Sequence, residues 1–391
     1  MNLSFFVKKI NSGVLILLVS LFYLGFFSCM NTKEFSVDQK KYLGNNKNLS
    51  SIYASKATDR FYSPFNIIIK PMEKLLLVDF EGHSKYATIE LQMYDDNRGK
   101  GATIIVYHKD GKNEVYYSDI KFADKNLFKG NLFENKKMKY AIDLTHKGLH
   151  ANLDFNDRHG KKISVKIKEN RSKNKLVSML APIGGVLKTF TYFPFFYMKE
   201  FNFVKRSKTD IAIVIDNVKM NPKNIPIFVN GELVYLSRYA IKPIIAEINN
   251  DFSGQLKPLI LKETKKFKSH DLHYSFTENQ GHKELKKILC LSYGKEAGIL
   301  FSPPIPDIVH LKDNIVVKGR FSIESKKIKG IVSGEYTIIR NKKGALFNLK
   351  PINAYSPMSG EIWVNAYNWN ATLLFQNSKV VKINSKWIKK L

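Results

Sequence analysis

Histidines are the side chains whose spacing first suggests chemistry in this sequence. His270 and His273 are three residues apart, and His282 follows nearby. On a helix the first pair would share one face and could bind a metal ion, but on a strand the two side chains point to opposite sides. Three ligands at a spacing typical of zinc sites are not evident. We therefore expect no metal site and no cofactor.

Motifs for other reactions are also absent. The sequence contains no nucleophile elbow, zinc-protease motif, glycine-rich phosphate loop or redox cysteine pair. A pair of catalytic carboxylates stays open, because the two acids of a glycosidase are often distant in sequence. No catalytic residue can be assigned, and we expect a protein that is not an enzyme.

Cys29 is a candidate for covalent modification because of the residues before it. Lys8 and Lys9 precede a nearly unbroken apolar run over residues 14–27. A transmembrane helix needs ~20 apolar residues, whereas the core of a signal peptide needs only ~7–15. This order predicts a bacterial lipoprotein signal over residues 1–28, cleavage before Cys29 and acyl chains on that cysteine. An ordinary secretory signal and an uncleaved anchor are the alternatives.

The predicted signal resembles those of spirochaetal lipoproteins, Borrelia in particular. Phe26 and Phe27 stand where smaller residues are usual, as in the relaxed signals of that group. A composition rich in Lys, Asn, Ile and Phe adds to the likeness. The resemblance implies a cell-envelope protein that lipid anchors in the outer membrane, on either its periplasmic or its surface face.

The charge of the chain favours an anionic partner. Lys and Arg number 63 against 34 Asp and Glu, which gives a net charge of +29. Such a balance attracts nucleic acid, anionic lipid or polyanionic glycan without specifying a fold. The lysines are scattered in short runs, so the alternative is a set of solvated faces. We expect membrane association through the N-terminal lipid and no specific nucleic-acid partner.

Alternation of apolar and polar residues begins at about residue 60 and predicts antiparallel sheet with one buried face. The clearest runs are Ala87–Met93, Met138–Leu144, Leu149–Phe155, Ile163–Ile167 and Ile315–Ile323. Asp110-Gly111 and Asn230-Gly231 lie between such runs and predict hairpin turns. Only Leu256–Lys268 suggests a short helix.

These patterns predict an all-β fold. We expect two antiparallel β-barrel or β-sandwich domains, over residues 60–205 and 206–391, after a disordered tether at residues 29–59. A stretch rich in Pro, Gly and aromatic residues at about residues 171–205 is the predicted connection. The layout is similar to tandem lipocalin-like proteins of the carotenoid-hydratase type, and this likeness implies architecture alone.

Aromatic side chains are the best candidates for selective binding. They form a dense cluster near residue 195 and a shared strand face near the C-terminus. The candidate ligand-binding residues are Tyr192, Phe195, Tyr197, Trp363 and Trp369. Packing between domains is the alternative for the first group, and ordinary strand packing is the alternative for the second.

Two functions of different class follow from these features. The first is a membrane-anchored, non-catalytic envelope lipoprotein that binds a host or envelope component on a β-scaffold. The second is a lipocalin-like carrier or enzyme acting on an apolar small molecule, and a glycan hydrolase is a weaker third. The first predicts a filled core with an exposed patch, and the second predicts an apolar cavity of roughly several hundred Å³.

Overall fold

The fold of the described residues consists of β-strands. The computed structural model describes residues 52–122, 131–170, 176–180, 193–229, 231–249, 252–261, 265–325, 328–354, 367–377 and 379–389. Two single-turn 3-10 helices, Ile120–Phe122 and Ile308–His310, are the helical elements among them. The predicted all-β class is confirmed. Within the described residues, no helix is long and apolar enough to cross a membrane.

Twenty-eight strands are present in the described residues. The first seventeen are β1 (Arg60–Phe61), β2 (Ile67–Lys70), β3 (Met72–Glu81), β4 (Tyr86–Asp96), β5 (Gly99–His108), β6 (Asn113–Tyr117), β7 (Asn131–Glu134), β8 (Lys139–Thr145), β9 (Gly148–Asn156), β10 (Lys162–Glu169), β11 (Val177–Leu180), β12 (Phe193–Lys205), β13 (Thr209–Ile215), β14 (Val218–Pro222), β15 (Asn224–Val229), β16 (Glu232–Ile241) and β17 (Ile244–Ile248). The others are β18 (Phe252–Gly254), β19 (Leu259–Ile260), β20 (Lys266–Ser269), β21 (Leu272–Asn279), β22 (His282–Ser292), β23 (Lys295–Ile305), β24 (Val316–Ser325), β25 (Ile328–Asn341), β26 (Gly344–Ala354), β27 (Tyr367–Gln376) and β28 (Lys379–Lys389).

Strands β2 to β17 form one sixteen-stranded sheet. Its main path is β2-β17-β12-β16-β3-β14-β13-β10-β9-β8, and the run β4 to β7 branches from β3. Strand β10 shows why these segments pair: Val165 is buried and lies opposite Ile213, while its neighbour Lys166 is exposed. Alternation with period two places one apolar set of side chains on the same face.

Strands β20 to β28 form the second sheet, in which each strand pairs with the next along the chain and β18 pairs with β28. The structure contains a curled half-barrel sheet, and we use the name half-barrel for this ten-stranded sheet. Its hairpins are tight, as at Asn341 and Gly344, which pair directly across their turn. Such local pairing closes short loops and keeps the strand order equal to the chain order.

Residues that precede the second sheet in the chain pack into the half-barrel. Phe65 has its ring centroid 4.7 Å from that of Phe301 and 5.5 Å from that of Trp369. Ile67 and Ile248, from paired strands of the first sheet, belong to the same buried cluster. The two sheets therefore share one hydrophobic core, which the segment from residue 61 to residue 69 enters.

The change of sheet lies near residue 250. Strands on both sides of residue 205 pair with each other, as β10 does with β13, and the second sheet begins at β18. The predicted division at residue 205 thus does not coincide with a change of sheet, and two separate lipocalin-like domains stay a prediction. In the range Leu256–Lys268, the described residues contain the short strands β19 and β20 in place of the suggested helix.

The end of the predicted tether lies against the body. Tyr53 forms an isolated antiparallel bridge with Leu311, and its ring stacks on that of His282. The backbone N–H of Lys312 donates to Ile52 O at 2.8 Å. Residues 29–51 of the predicted tether lie outside the described residues, so the attachment that the structure describes begins at Ile52.

Candidate functional site

Two of the predicted aromatic site residues, Tyr197 and Trp369, are buried. Tyr197 and Trp369 have no exposed surface and belong to the shared core. Phe195 lies on β12 opposite Ala246. Tyr192, Trp363 and Cys29 lie outside the described residues. A ligand-binding role for Tyr197 or Trp369 stays a prediction that only an internal cavity could satisfy.

A cleft in the half-barrel is small. Arg320, Ser333 and Asn353 line it from β24, β25 and β26, and its free volume is about 90 Å³. Cavities that bury a drug-sized ligand have volumes of ~300–1,000 Å³. This cleft therefore suits an ion or a few waters better than an apolar molecule.

The outer face of the half-barrel carries an exposed apolar band. Val316 lies opposite Ile339, and Ile339 lies opposite Leu346 on the next strand. Leu346 lies opposite Thr372 on β27, and Leu374 lies two residues after Thr372 on the same face of that strand. The exposed fractions of the four aliphatic side chains lie between 41% and 52%. We call these four residues the outer band.

A buried polar cluster lies where the N-terminal segment joins the half-barrel. His282 begins β22, and Asp307 and His310 follow the end of β23. Strands β22 and β23 form an antiparallel hairpin, so the start of one lies beside the end of the other. A 3-10 turn follows Asp307 and brings His310, three residues later, into contact with the Asp307 carboxylate. We call these three residues the histidine–aspartate cluster.

The donor atoms of this cluster converge. Oδ2 of Asp307 lies 3.1 Å from Nδ1 of His282 and 2.6 Å from Nδ1 of His310. One donor atom from each of the three residues lies within 4.8 Å of the others, and all three side chains are buried. Two imidazoles and a carboxylate are a donor set that suits zinc and related divalent ions.

The N-terminal segment covers the cluster. Nε2 of His282 lies 3.0 Å from Ser55 O, and the N–H of Ala54 donates to His310 O at 2.8 Å. The Tyr53 ring lies parallel to the His282 ring, with 3.7 Å between centroids. Its hydroxyl donates to Glu284 at 2.7 Å. Burial, followed by the charge of Glu284, raises the pKa of Tyr53 far above its usual value, so this hydroxyl remains a donor.

The hydrogen-bonding partners of His282 require either a shared proton or a metal ion between His282 and Asp307. The Ser55 carbonyl can only accept, so Nε2 of His282 carries a hydrogen. In a neutral imidazole, Nδ1 is then an acceptor, and it faces the acceptor Oδ2 of Asp307. Two acceptors at this separation share either a proton or a metal ion.

A second buried cluster surrounds Glu114 in the first sheet. Lys85 donates to its carboxylate at 2.8 Å, as does the hydroxyl of Tyr116, and Arg158 lies 3.4 Å away. Burial acts to raise the pKa of Glu114, but hydrogen bonds from Lys85 and Tyr116 and the attraction of Lys85 and Arg158 outweigh it. The pKa therefore lies below its usual value. This carboxylate is already saturated and offers little to a ligand.

Comparisons with known proteins assign no relative. No family model, no curated protein and no solved structure matches the chain. The candidate sites are therefore defined by this molecule's own geometry.

Of the three histidines considered in the sequence analysis, only His282 belongs to the histidine–aspartate cluster. His270 and His282 lie at opposite ends of β21, so the cluster His270, His273 and His282 does not form. Asp307 and His310 were missed because they lie at least 25 residues beyond His282. The turn residues Tyr293-Gly294 could have predicted the β22–β23 hairpin. The hairpin in turn would have placed His282 near Asp307 and His310.

Proposed function

We propose that the protein is a lipoprotein of the cell envelope, anchored in the outer membrane through lipid on Cys29, and that it binds its partner without catalysis. The charged start, short apolar run and cysteine of residues 1–29 support the anchor. The contacts of Ile52 and Tyr53 place the described end of the predicted tether beside the half-barrel.

The observation that most favours binding on an outer surface is the filled interior. Phe65, Phe301 and Trp369 pack against one another where a carrier would hold its ligand. A side chain of the chain itself that fills this space excludes an apolar molecule from it. The partner then meets the body from outside.

The outer band is the surface that suits such a partner. Lys318 and Lys382 flank it: Lys318 is the next outward residue after Val316, and Lys382 pairs with Leu374. Exposed aliphatic side chains beside cations fit an envelope or host component that combines an apolar surface with negative charge. Selectivity comes from the band, and long-range attraction comes from the net charge of +29.

Replacing Cys29 tests the anchor. We expect Cys29→Ser to move the protein from the membrane fraction to the soluble fraction and to abolish acylation in intact-mass measurements. Cys290→Ser is the matched control, because burial raises the pKa of the Cys290 thiol to about 11 and the side chain is buried in the core. A Cys29→Ser protein that stays acylated and membrane-bound would contradict the proposal.

Vesicle binding tests the outer band. A chain that lacks residues 1–28 and carries Cys29→Ser is expected to bind anionic vesicles at low salt and to release them as salt rises. Leu346→Ser should weaken this binding, whereas Val218→Ser, at an exposed position of β14, should leave it unchanged. Binding that persists at high salt, or equal effects of both substitutions, would argue against this surface.

A carrier of an apolar small molecule is the second candidate, and one observation favours it. The indole N–H of Trp369 is buried and has no acceptor among the described residues. An internal ligand with a polar atom would supply one. Extraction of the purified protein with organic solvent, followed by mass spectrometry, distinguishes the two. A stoichiometric small molecule would support the carrier, and its absence would support the binding scaffold.

A further inference from the structure

We propose that His282, Asp307 and His310 bind a divalent metal ion of the zinc class, and that this ion fastens the N-terminal segment to the half-barrel. The inference is independent of the proposed function, since it concerns neither Cys29 nor the outer band. It concerns the place where the described chain begins.

The donor set supports a metal ion. Each of the three buried residues offers one nitrogen or oxygen atom, and these atoms face one another within 4.8 Å. Three protein ligands of this kind, with a fourth position for water or another ligand, form a common zinc environment. The start of β22 holds His282, and the tight 3-10 turn after β23 holds Asp307 and His310, so ligation orders little additional chain.

The hydrogen bond on the far side of His282 is the independent observation. A histidine that binds a metal ion usually donates its other ring N–H to a carbonyl or carboxylate, which orients the ring and directs its lone pair at the metal. Ser55 O does this for His282, with Nε2 at 3.0 Å. The lone pair of Nδ1 then faces Oδ2 of Asp307, and the two acceptors must share a metal ion or a proton.

The distances accept a zinc ion after a small adjustment. Two ligands on one tetrahedral zinc, at bond lengths of ~2.0–2.1 Å, stand ~3.4 Å apart. The pair Asp307 Oδ2 and His282 Nδ1, at 3.1 Å, is close to this value. The pair Asp307 Oδ2 and His310 Nδ1, at 2.6 Å, has to open by about 0.8 Å for tetrahedral ligation. A rotation of the Asp307 side chain would supply this movement.

Fastening follows from the contacts of the same residues. Residues 54 and 55 are hydrogen-bonded to His310 and His282, and the Tyr53 ring stacks on His282. An ion that fixes both imidazoles therefore also fixes the three residues that contact them. The described start of the chain becomes a rigid attachment point for whatever precedes it.

Zinc titration of the purified full chain is the direct test. After treatment with a chelator and its removal, Zn²⁺ alone is added, both to the folded protein and during refolding, because residues 53–55 cover the cluster. We expect one ion per chain and an increase of several degrees in the midpoint of thermal unfolding. Co²⁺ in place of Zn²⁺ should give the visible absorption of a tetrahedral nitrogen–oxygen site.

Substitutions identify the ligands. His282→Gln and His310→Ala should each weaken zinc binding at least ~100-fold and remove the cobalt absorption. His270→Ala and His273→Ala are matched controls in the same sheet and should bind zinc as the unchanged chain does. Far-ultraviolet dichroism must show that each variant keeps its β-structure, and His282→Gln keeps a hydrogen-bonding side chain for this purpose.

Trypsin tests the fastening. Lys56 is exposed and directly follows residues 53–55, which cover the cluster, so bound zinc should slow cleavage there several-fold in the unchanged chain but not in His310→Ala. Absence of zinc binding under both conditions of addition would show that a proton alone bridges His282 and Asp307, and would overturn the proposal. Binding that survives both ligand substitutions, or that the control substitutions abolish equally, would also overturn it.

Discussion

Two buried carboxylates in this molecule are compensated in different ways. Glu114, in the first sheet, receives permanent cations from Lys85 and Arg158 together with the hydroxyls of Tyr86 and Tyr116, and the imidazole of His108 lies 3.4 Å from it. Asp307, just after the end of β23 in the second sheet, is contacted by the imidazoles of His282 and His310. Permanent cations complete a structural site, whereas imidazoles can exchange a proton for a metal ion. The difference assigns a structural role to the first cluster and leaves chemistry open to the second.

The largest expected effect is the loss of the permanently compensated carboxylate. Glu114→Ala should lower the free energy of unfolding by about 3 kcal/mol, because it removes the charged acceptor of the buried Tyr116 hydroxyl and of Lys85. Denaturant unfolding measures this change. Glu134→Ala, an exposed acid on β7, is the control and should cost under ~0.5 kcal/mol. A loss below ~1 kcal/mol for Glu114→Ala would contradict a structural role.

A smaller loss is expected at the imidazole-compensated carboxylate. Asp307→Asn should lower the free energy of unfolding in chelator by about 2 kcal/mol, since it removes charge from two hydrogen bonds while keeping the shape. The same substitution should abolish any stabilisation by zinc. Asp313→Asn, on the exposed side of Arg340, is the control and should change neither value. Equal stabilisation of Asp307→Asn by zinc would remove the distinction between the clusters.

The pH dependence of stability sharpens the comparison further. Because the folded pKa of Glu114 lies below its usual value, its contribution is fully present above the unfolded pKa of ~4.3. The contribution disappears as pH falls through the folded pKa. Glu114→Gln should therefore cost about 1–2 kcal/mol at pH 7, and this difference from the unchanged chain should shrink below about pH 4. Urea unfolding at several pH values measures it, and a constant difference would refute the assignment.

Local pattern predicted the sheets well. The alternation at Ile163–Ile167 became β10, and the Asp110-Gly111 turn joins β5 to β6, with Gly111 at a positive φ of 80°. Both features depend on neighbours in sequence, because period two and turn chemistry act within a few residues. Strand identity could therefore be predicted without knowledge of the fold.

Contacts between residues that are distant in sequence could not be predicted. The contact of Ser55 with His282 joins residues 227 positions apart, and burial of Phe65 against Trp369 joins the two ends of the described chain. An apolar residue shows that it will be buried but does not show against which sheet. The same reason explains why Trp369, predicted as a possible ligand contact, is a core residue.

The smallest expected effect concerns the redundancy of the cations on Glu114. Lys85 and Arg158 keep 39% and 34% of their side chains exposed, so water replaces much of what either loses. Lys85→Ala and Arg158→Ala should each cost under ~1 kcal/mol, because the remaining cation and Tyr116 still compensate the carboxylate. The double substitution should cost more than the sum of the two, since it leaves Glu114 without a permanent cation. A double-mutant cycle by urea unfolding measures this coupling. Simple additivity would mean that the two cations act separately, and that Glu114 does not form the single compensated centre that distinguishes it from Asp307.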